Sequence, residues 1–386
     1  MTTPIQTPQN LLKQVTEKSI DYTKLMTITN NTPITEDQLA RLEKLSGKPL
    51  HHFLRRKLFN CQFQLSEFLD DIEAKKPTFV FIQKYINTIY TLADSVTLSL
   101  AKYLQECFNV QIIIQILDDV KVLTREIKFE DVNKLTNELI KIIMSYKFNE
   151  EKTFVYTNYG YYGKMYRVIS TVQKATSFDK IQPFFNFDAS QNIGLLASPA
   201  ICMAAMFSQS YKKLFGEQVA RCLVLDCISN IQFYEIVNAV ADNLHFMKPS
   251  FLLHEIIPSL NGVSKLETPN ANNAILLSDN VKQVERKILK VAFSGGRDST
   301  EEHRRLGGQC DIDISYQYLR LFCQDDKLVQ ETFDNYSSGV LLSGDLKKTI
   351  VCPFMKQFMA DFEQQKKPIT TKNMKDFMDK MIKQFY

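Results

Sequence analysis

The chain has 386 residues, 45% of them apolar and 23% charged, the proportions of a folded globular protein rather than a disordered or collagen-like one. That length exceeds what one hydrophobic core usually supports, so two domains are expected. The 47 Lys and Arg against 43 Asp and Glu leave a net charge of +4, which permits contact with RNA but does not argue for it.

Residues 1–18 are polar and predict no fixed element, and the opening MTTPIQTPQNLLKQ has neither a signal-peptide core nor the arginines of a mitochondrial presequence. No apolar run reaches the roughly 18 residues of a membrane helix. These features predict a cytoplasmic or other intracellular protein with no membrane contact. Thr35 and Gln38 have the spacing of a capping box, ahead of a helical pattern that ends by Leu45 where Gly47 and Pro49 supply stop signals.

From Pro77 to Ser259 short apolar runs alternate with amphipathic helical stretches. Strands are predicted over residues 78–82, 110–117, 153–157, 220–225 and 250–253, and helices over 96–108, 129–146 and 232–244. The alternation predicts an α/β fold, a doubly wound Rossmann-like parallel sheet whose ligands bind at the carboxyl ends of the strands. After Asn280 the strand-like runs stop and helical periodicity takes over, predicting a C-terminal all-helical domain. Its last stretch sets Met374, Phe377, Met378, Met381, Ile382 and Phe385 on one face behind Thr370 and Thr371 as caps, a face for packing on the domain. The expected division is an N-terminal extension at 1–74, the sheet domain at 75–279 and the helical domain at 280–386. The eight cysteines (Cys61, Cys107, Cys202, Cys222, Cys227, Cys310, Cys323 and Cys352) lack the CxxC spacing of zinc or redox sites, so reduced thiols and no metal site are expected.

Two stretches carry a resemblance. One is GKPLHHFLRRKLFN at residues 47–60; the other is AFSGGRDSTEEHRRLGGQCDIDISYQYLRLF at 292–322, running on to SSGVLLSGDLKK at 337–348. Together and in this order they resemble eukaryotic cytosolic tryptophanyl-tRNA synthetases, from about Ile20 to the C-terminus. The resemblance implies a class I nucleotide-binding domain, a helical anticodon-binding domain and a homodimer.

It also implies signatures that this sequence does not keep. In the family, a glycine-bearing loop after the first strand admits ATP, and an HxGH motif at the next helix start donates to the triphosphate. Here the segment reads IQKYINTIYTLADSV at 82–96, one residue shorter, with Gln83 and Tyr85 in place of small residues and Thr91 and Asp94 in place of histidines. An anionic Asp94 near a phosphate would cost about 4 kcal/mol at 4 Å and an effective dielectric near 20. A lost transition-state donor adds about 3 kcal/mol, and the sum is about five orders of magnitude in rate.

The family's KMSAS-type loop corresponds to SKLETPN at 264–270. Lys265 is kept there, while Glu267 adds a negative charge and Pro269 removes a backbone donor. In the tryptophan pocket Gln115 matches the indole-binding glutamine. Phe81 replaces a tyrosine, Val120 the ammonium-binding glutamate, Cys202 one glutamine and Asn230 another.

The reading is a catalytically degenerate synthetase-like protein with a binding or structural role, a homodimer or a subunit of a larger assembly with a protein partner, needing no cofactor. The alternative is an active tryptophan-tRNA ligase using ATP and magnesium, for which Lys265, Gln115 and the Asp118–Asp119 pair speak. A third reading, tRNA binding without charging, would use Arg297, Arg304, Arg305 and Lys347. Pairing of these with neighbours such as Asp298, Glu301 and Glu302 is preferred to it.

Overall fold

Seven strands form one sheet: β1 (Thr32–Pro33), β2 (Phe59–Phe63), β3 (Thr78–Tyr85), β4 (Gln111–Leu117), β5 (Thr153–Thr157), β6 (Arg221–Cys227) and β7 (Ser250–His254). The computed structural model describes residues 20–188, 190–262 and 269–385. In space the strands run β1-β2-β7-β6-β3-β4-β5. From β7 to β5 neighbours are parallel, while β1 and β2 add antiparallel on the other side. The chain winds from β3 out to β4 and β5, then resumes on the opposite side of β3 with β6 and β7. That reversal makes the β3/β6 boundary the switch point where a doubly wound sheet opens its crevice.

The parallel strands form where the sequence is continuously apolar, because helices cover both faces of such a sheet. Ile112, Ile113, Ile114 and Ile116 of β4 are fully buried. Of the boundaries that differ from expectation, two bear on the site. β3 runs on to Tyr85 rather than stopping at Ile82, since no glycine interrupts it and Gln83, Lys84 and Tyr85 pair with Gln115, Ile116 and Leu117 of β4. The helix expected from residue 96 starts at Leu92 and runs Leu92–Phe108.

β1 and β2 are additions to the predicted set. The sequence of β2, FNCQF, alternates polar and apolar residues, and the strand pairs antiparallel with β7 and with β1. The Asn158–Ala175 and Ile193–Ala204 helices pack on each other. The N-terminal helix Glu36–Ser46 begins on the Thr35–Gln38 capping box and ends on Gly47, whose φ of 62° is left-handed, a conformation glycine adopts without steric cost.

Beyond residue 280 the described elements are helices. The last, Thr371–Phe385, buries Phe377, Met381 and Phe385 and leaves Ile382 largely exposed. Its Phe385 ring stands 5.0 Å from Phe154 of β5, and Lys380 pairs with Glu150 at 2.6 Å. β5 ends the sheet, and this helix packs against it.

The two family-like stretches meet each other. Arg56 donates to the carbonyls of Arg320 and Cys323 and to the carboxylate of Asp326, which Arg55 also holds. His52 Nε2 lies 3.1 Å from the Leu321 carbonyl; burial pushes its pKa down to about 3, so the imidazole is neutral and donates from that nitrogen. At the Gly-Gly turn, Asp313 accepts from the Gly295 N–H and the Tyr336 hydroxyl, both at 2.8 Å.

The expected pairing of the basic residues in this region does not occur. Arg297 donates to the Gly307 carbonyl, Arg304 to those of Gly339 and Val340, and buried Lys347 to that of Ala292. Loops that fold back on these side chains leave orphan carbonyls, and those are stronger competitors than exposed acids.

Candidate functional site

Side chains of a strand alternate between faces, so Phe81, Gln83 and Tyr85 share one face of β3, in register with Ile113, Gln115 and Leu117 of β4. Phe81 is fully buried and Tyr85, at the strand end, is 43% exposed. Between them Gln83 donates through Nε2 to Gln115 Oε1 at 2.8 Å and to the Cys202 carbonyl at 3.0 Å. Gln115 passes the chain on, donating to Asn158 Oδ1 at 2.7 Å, and Asn158 donates to Asp119 Oδ1 at 2.7 Å. Gln115, Asn158 and Asp119 are buried.

This chain brings together four of the residues singled out in the sequence, Gln83, Gln115, Asp119 and Cys202, and uses both ends of the Gln115 carboxamide. A ligand N–H seeking Gln115 Oε1 would meet Gln83 there. Displacing Gln83 would leave buried polar groups to be satisfied again, at about 1–3 kcal/mol for each one left orphaned. The neighbouring Asp118 accepts from the Tyr159 N–H at 3.1 Å, and burial pushes its carboxyl up to about 6. Burial also raises that of Asp119. Val120 opens a one-turn helix, Val120–Leu123, with a partly buried apolar side chain, and offers nothing to an ammonium group.

On the opposite face of β3 the helix Leu92–Phe108 begins. Asp94 turns its carboxylate back onto Thr91, accepting from the backbone N–H at 2.7 Å and from the hydroxyl at 3.1 Å. The two residues standing where histidines would be therefore cap their own helix, which satisfies one of its orphan donors. Lys84 reaches the same place, donating to the Asp94 carbonyl at 2.9 Å. Burial lowers the pKa of this amine, against the pull of Asp94 and Asp226.

A third group lies across the switch point. Asn230 donates to Asp226 Oδ2 at 2.8 Å, the Tyr234 hydroxyl does so at 2.5 Å, and the Cys227 N–H donates to Oδ1. Burial and the nearby Asp226 raise the Tyr234 hydroxyl well above its ordinary range. Lys265 and Glu267 lie outside the described residues.

Lys84, Asn158, Asp226 and Tyr234 were not singled out by sequence reasoning. The signal for two of them was present, since Lys84 and Asp226 are charged residues at the carboxyl ends of otherwise apolar strands, where this fold binds ligands. Chemically, the crevice is a set of internally satisfied polar groups. Among the described residues Lys84 is engaged with the Asp94 carbonyl, and Asp94 and Asp226 are the carboxylates that act on it. The start of the Leu92–Phe108 helix carries the Asp94 carboxylate, a charge opposite to what an anion at a helix N-terminus calls for.

Residues 230–354 match the family model described as tRNA synthetases class I (W and Y). The cytoplasmic tryptophan–tRNA ligase of Mus musculus is 33% identical over 367 residues, covering 94% of this chain and 76% of that protein. Among solved structures, a tryptophanyl-tRNA synthetase homolog from Entamoeba histolytica superposes with a TM-score of 0.95 at 52% identity, over 98% of this chain and 100% of that one. Plasmodium falciparum tryptophanyl-tRNA synthetase superposes with a TM-score of 0.87 at 33% identity, over 95% and 97%.

Proposed function

This chain belongs to the class I tryptophanyl-tRNA synthetase family, and from that premise we propose that it keeps the synthetase framework without the chemistry, as a binding or structural component. The observation that carries the reading is the bond from Gln83 to Gln115 and to the Cys202 carbonyl. It occupies with the protein's own side chain the acceptor through which the resemblance has relatives hold the indole N–H. The capping of the Leu92–Phe108 helix by Asp94 and Thr91 supports the same reading at the phosphate end. No cofactor is called for.

In this reading residues 75–279 are the synthetase-like body and 280–386 a helical region resembling an anticodon-binding domain. We infer a homodimer, as the resemblance implies, paired through the Asn158–Ala175 and Ile193–Ala204 helices. Tyr159, Tyr166 and Ile193 there stand more than half exposed, an aromatic and aliphatic face that one surface of a second copy would cover. Membership in a larger assembly fits the same role, and the names of curated relatives favour the cytoplasm. Selective tRNA binding is not favoured, because Arg297, Arg304 and Lys347 are committed to backbone carbonyls.

The alternative, ATP-dependent charging of tRNA with tryptophan, rests on Gln115, Asp118 and Asp119 all standing at the end of β4. Calorimetric titration separates the two. The reading predicts no heat from millimolar ATP with magnesium or from millimolar tryptophan, and micromolar affinity for either would refute it.

A further inference from the structure

A cleft of about 480 Å³ opens beside the Ile231–Leu244 helix, facing Phe63 of β2, Phe251 of β7 and the turn Thr29–Asn31 that follows the Tyr22–Ile28 helix. That volume lies within the range of small-molecule sites. The helix turns one stripe toward it, on which Ile231, Glu235, Asn238 and Asp242 stand at helical spacing. Of the crevice residues described above only Tyr234 reaches this cleft, and its hydroxyl is held by Asp226.

The turn spends its donors on its own backbone. Thr29 Oγ1 donates to the Leu25 carbonyl at 2.9 Å, and Asn31 Nδ2 to the Thr29 carbonyl at 2.7 Å. The helix stripe is different. Asn238 Oδ1 is shut from water with no hydrogen-bond partner, and among the described residues none holds the amide end of that side chain. Nor does a hydrogen bond or ion pair among them reach the carboxylate of Glu235, which is exposed. Asp242 pairs with Lys248 at 2.8 Å, but Lys248 stands outside the lining, and none of the described lining residues is basic. On the strand side the Tyr234 and Phe251 rings lie 4.3 Å apart and those of Phe251 and Phe63 5.8 Å. Tyr234 and Phe251 are buried, and Phe63 is the partly exposed ring of the three.

We propose that this cleft binds a guanidinium group, its N–H donors on the Glu235 carboxylate and the Asn238 carboxamide and its flat face on Phe63. Residues three apart on a helix stand about 5–6 Å apart at Cβ, so the two acceptors suit a planar fork of donors better than the point charge of an ammonium. The last torsion of an asparagine is soft, and the Asn238 carboxamide can turn its oxygen to a ligand without giving up a hydrogen bond. A donor arriving there satisfies an acceptor that folding left orphaned. An exposed carboxylate by itself holds a cation weakly; the orphaned oxygen and the ring, on which a guanidinium stacks, are what make a site. A phosphate or carboxylate ligand would meet Glu235 and Asp242 instead. Free guanidino compounds and the arginine side chain of a peptide share the chemistry the cleft recognises.

Saturation-transfer NMR on the full chain tests this, with ethylguanidine as the free guanidine, N-acetyl-arginine amide as the peptide side chain, and N-acetyl-citrulline amide, similar in shape but uncharged, as the control. The expected result is saturable binding of the arginine amide, about tenfold weaker in Glu235→Gln and in Asn238→Leu, with no saturable binding of the citrulline amide. Ethylguanidine binding as tightly as the arginine amide assigns the site to a free guanidine, and weaker binding assigns it to an arginine side chain in a peptide. Undiminished affinity in either variant, equal binding of the citrulline amide, or no saturable binding of either guanidine would each overturn the proposal. Should Asn238→Leu fail to fold, Glu235→Gln, at an exposed position, carries the test.

Discussion

Gln83 and Gln115 lie side by side on neighbouring parallel strands, and the carboxamide of the first donates to the oxygen of the second at 2.8 Å. One long side chain, at a position where the resemblance implies a small residue, thus occupies the Gln115 carboxamide oxygen. Gln83→Gly should reopen that acceptor at a cost of about 1 kcal/mol for a glycine within a strand. Millimolar tryptophan should then raise the thermal midpoint of the variant but not of the native chain. Equal stabilisation of both would show that Gln83 does not block the site.

Arg56 joins the N-terminal segment to the helical region through two carbonyls and one carboxylate. Arg56→Ala strands the partly buried carbonyls of Arg320 and Cys323, and should lower unfolding free energy by about 2–3 kcal/mol. Asp326→Ala removes only a half-exposed partner and should cost less than about 1 kcal/mol. Urea denaturation of the two variants checks the order, and a larger loss for Asp326→Ala would contradict the assignment.

Glu255 gives a stability that depends on pH with an unusual sign. Its carboxyl is pushed from 4.5 up to about 7, so the folded chain holds the proton more tightly and ionisation opposes folding. The penalty is complete above about 7, shrinks as pH falls through that value, and vanishes below 4.5. Glu255→Gln should therefore be more stable than the native chain in mild alkali, by on the order of 2 kcal/mol after allowing for partial exposure, and no more stable in acid. Thermal melts across that window check it; a constant difference at all pH values would not fit.

Much of the fold was legible because its determinants are local. The run IIIQIL announces a strand buried on both faces, and Thr35 with Gln38 announces a helix start. The same local signal was present at Thr91 and Asp94, where T-x-x-D has the spacing of a capping pair. There the capping pair stands where the resemblance implies histidines. The resemblance implies a loop at Gln83 and Tyr85, whereas a stretch without glycine continues its ladder. What no local pattern carries is the meeting of distant segments. The grip of Arg56 on residues 320–326, the reach of Gln83 to Cys202 and the turning of Arg304 onto Gly339 arise only once the chain has folded.

The proposed pairing of two copies rests on the exposed side chains of two packed helices. Tyr159 and Tyr166 lie seven residues apart on one helical face, and Ile193 is 85% exposed at the start of the adjoining helix. The native chain should sediment at twice its 44.7 kDa mass, and Tyr166→Glu with Ile193→Glu should give the single mass with secondary structure intact. A native monomer, or a variant that remains paired, would contradict this interface.

The central claim is that the framework persists without the chemistry, and tryptophan-dependent exchange of pyrophosphate into ATP tests it most directly, because it reads adenylate formation without requiring tRNA. The native chain should show no exchange above a protein-free blank, and Asp94→His alone should restore none, since Gln83 still holds Gln115 and Val120 still offers no acceptor. Clear tryptophan-dependent exchange by the native chain would contradict the account and make this protein an active ligase.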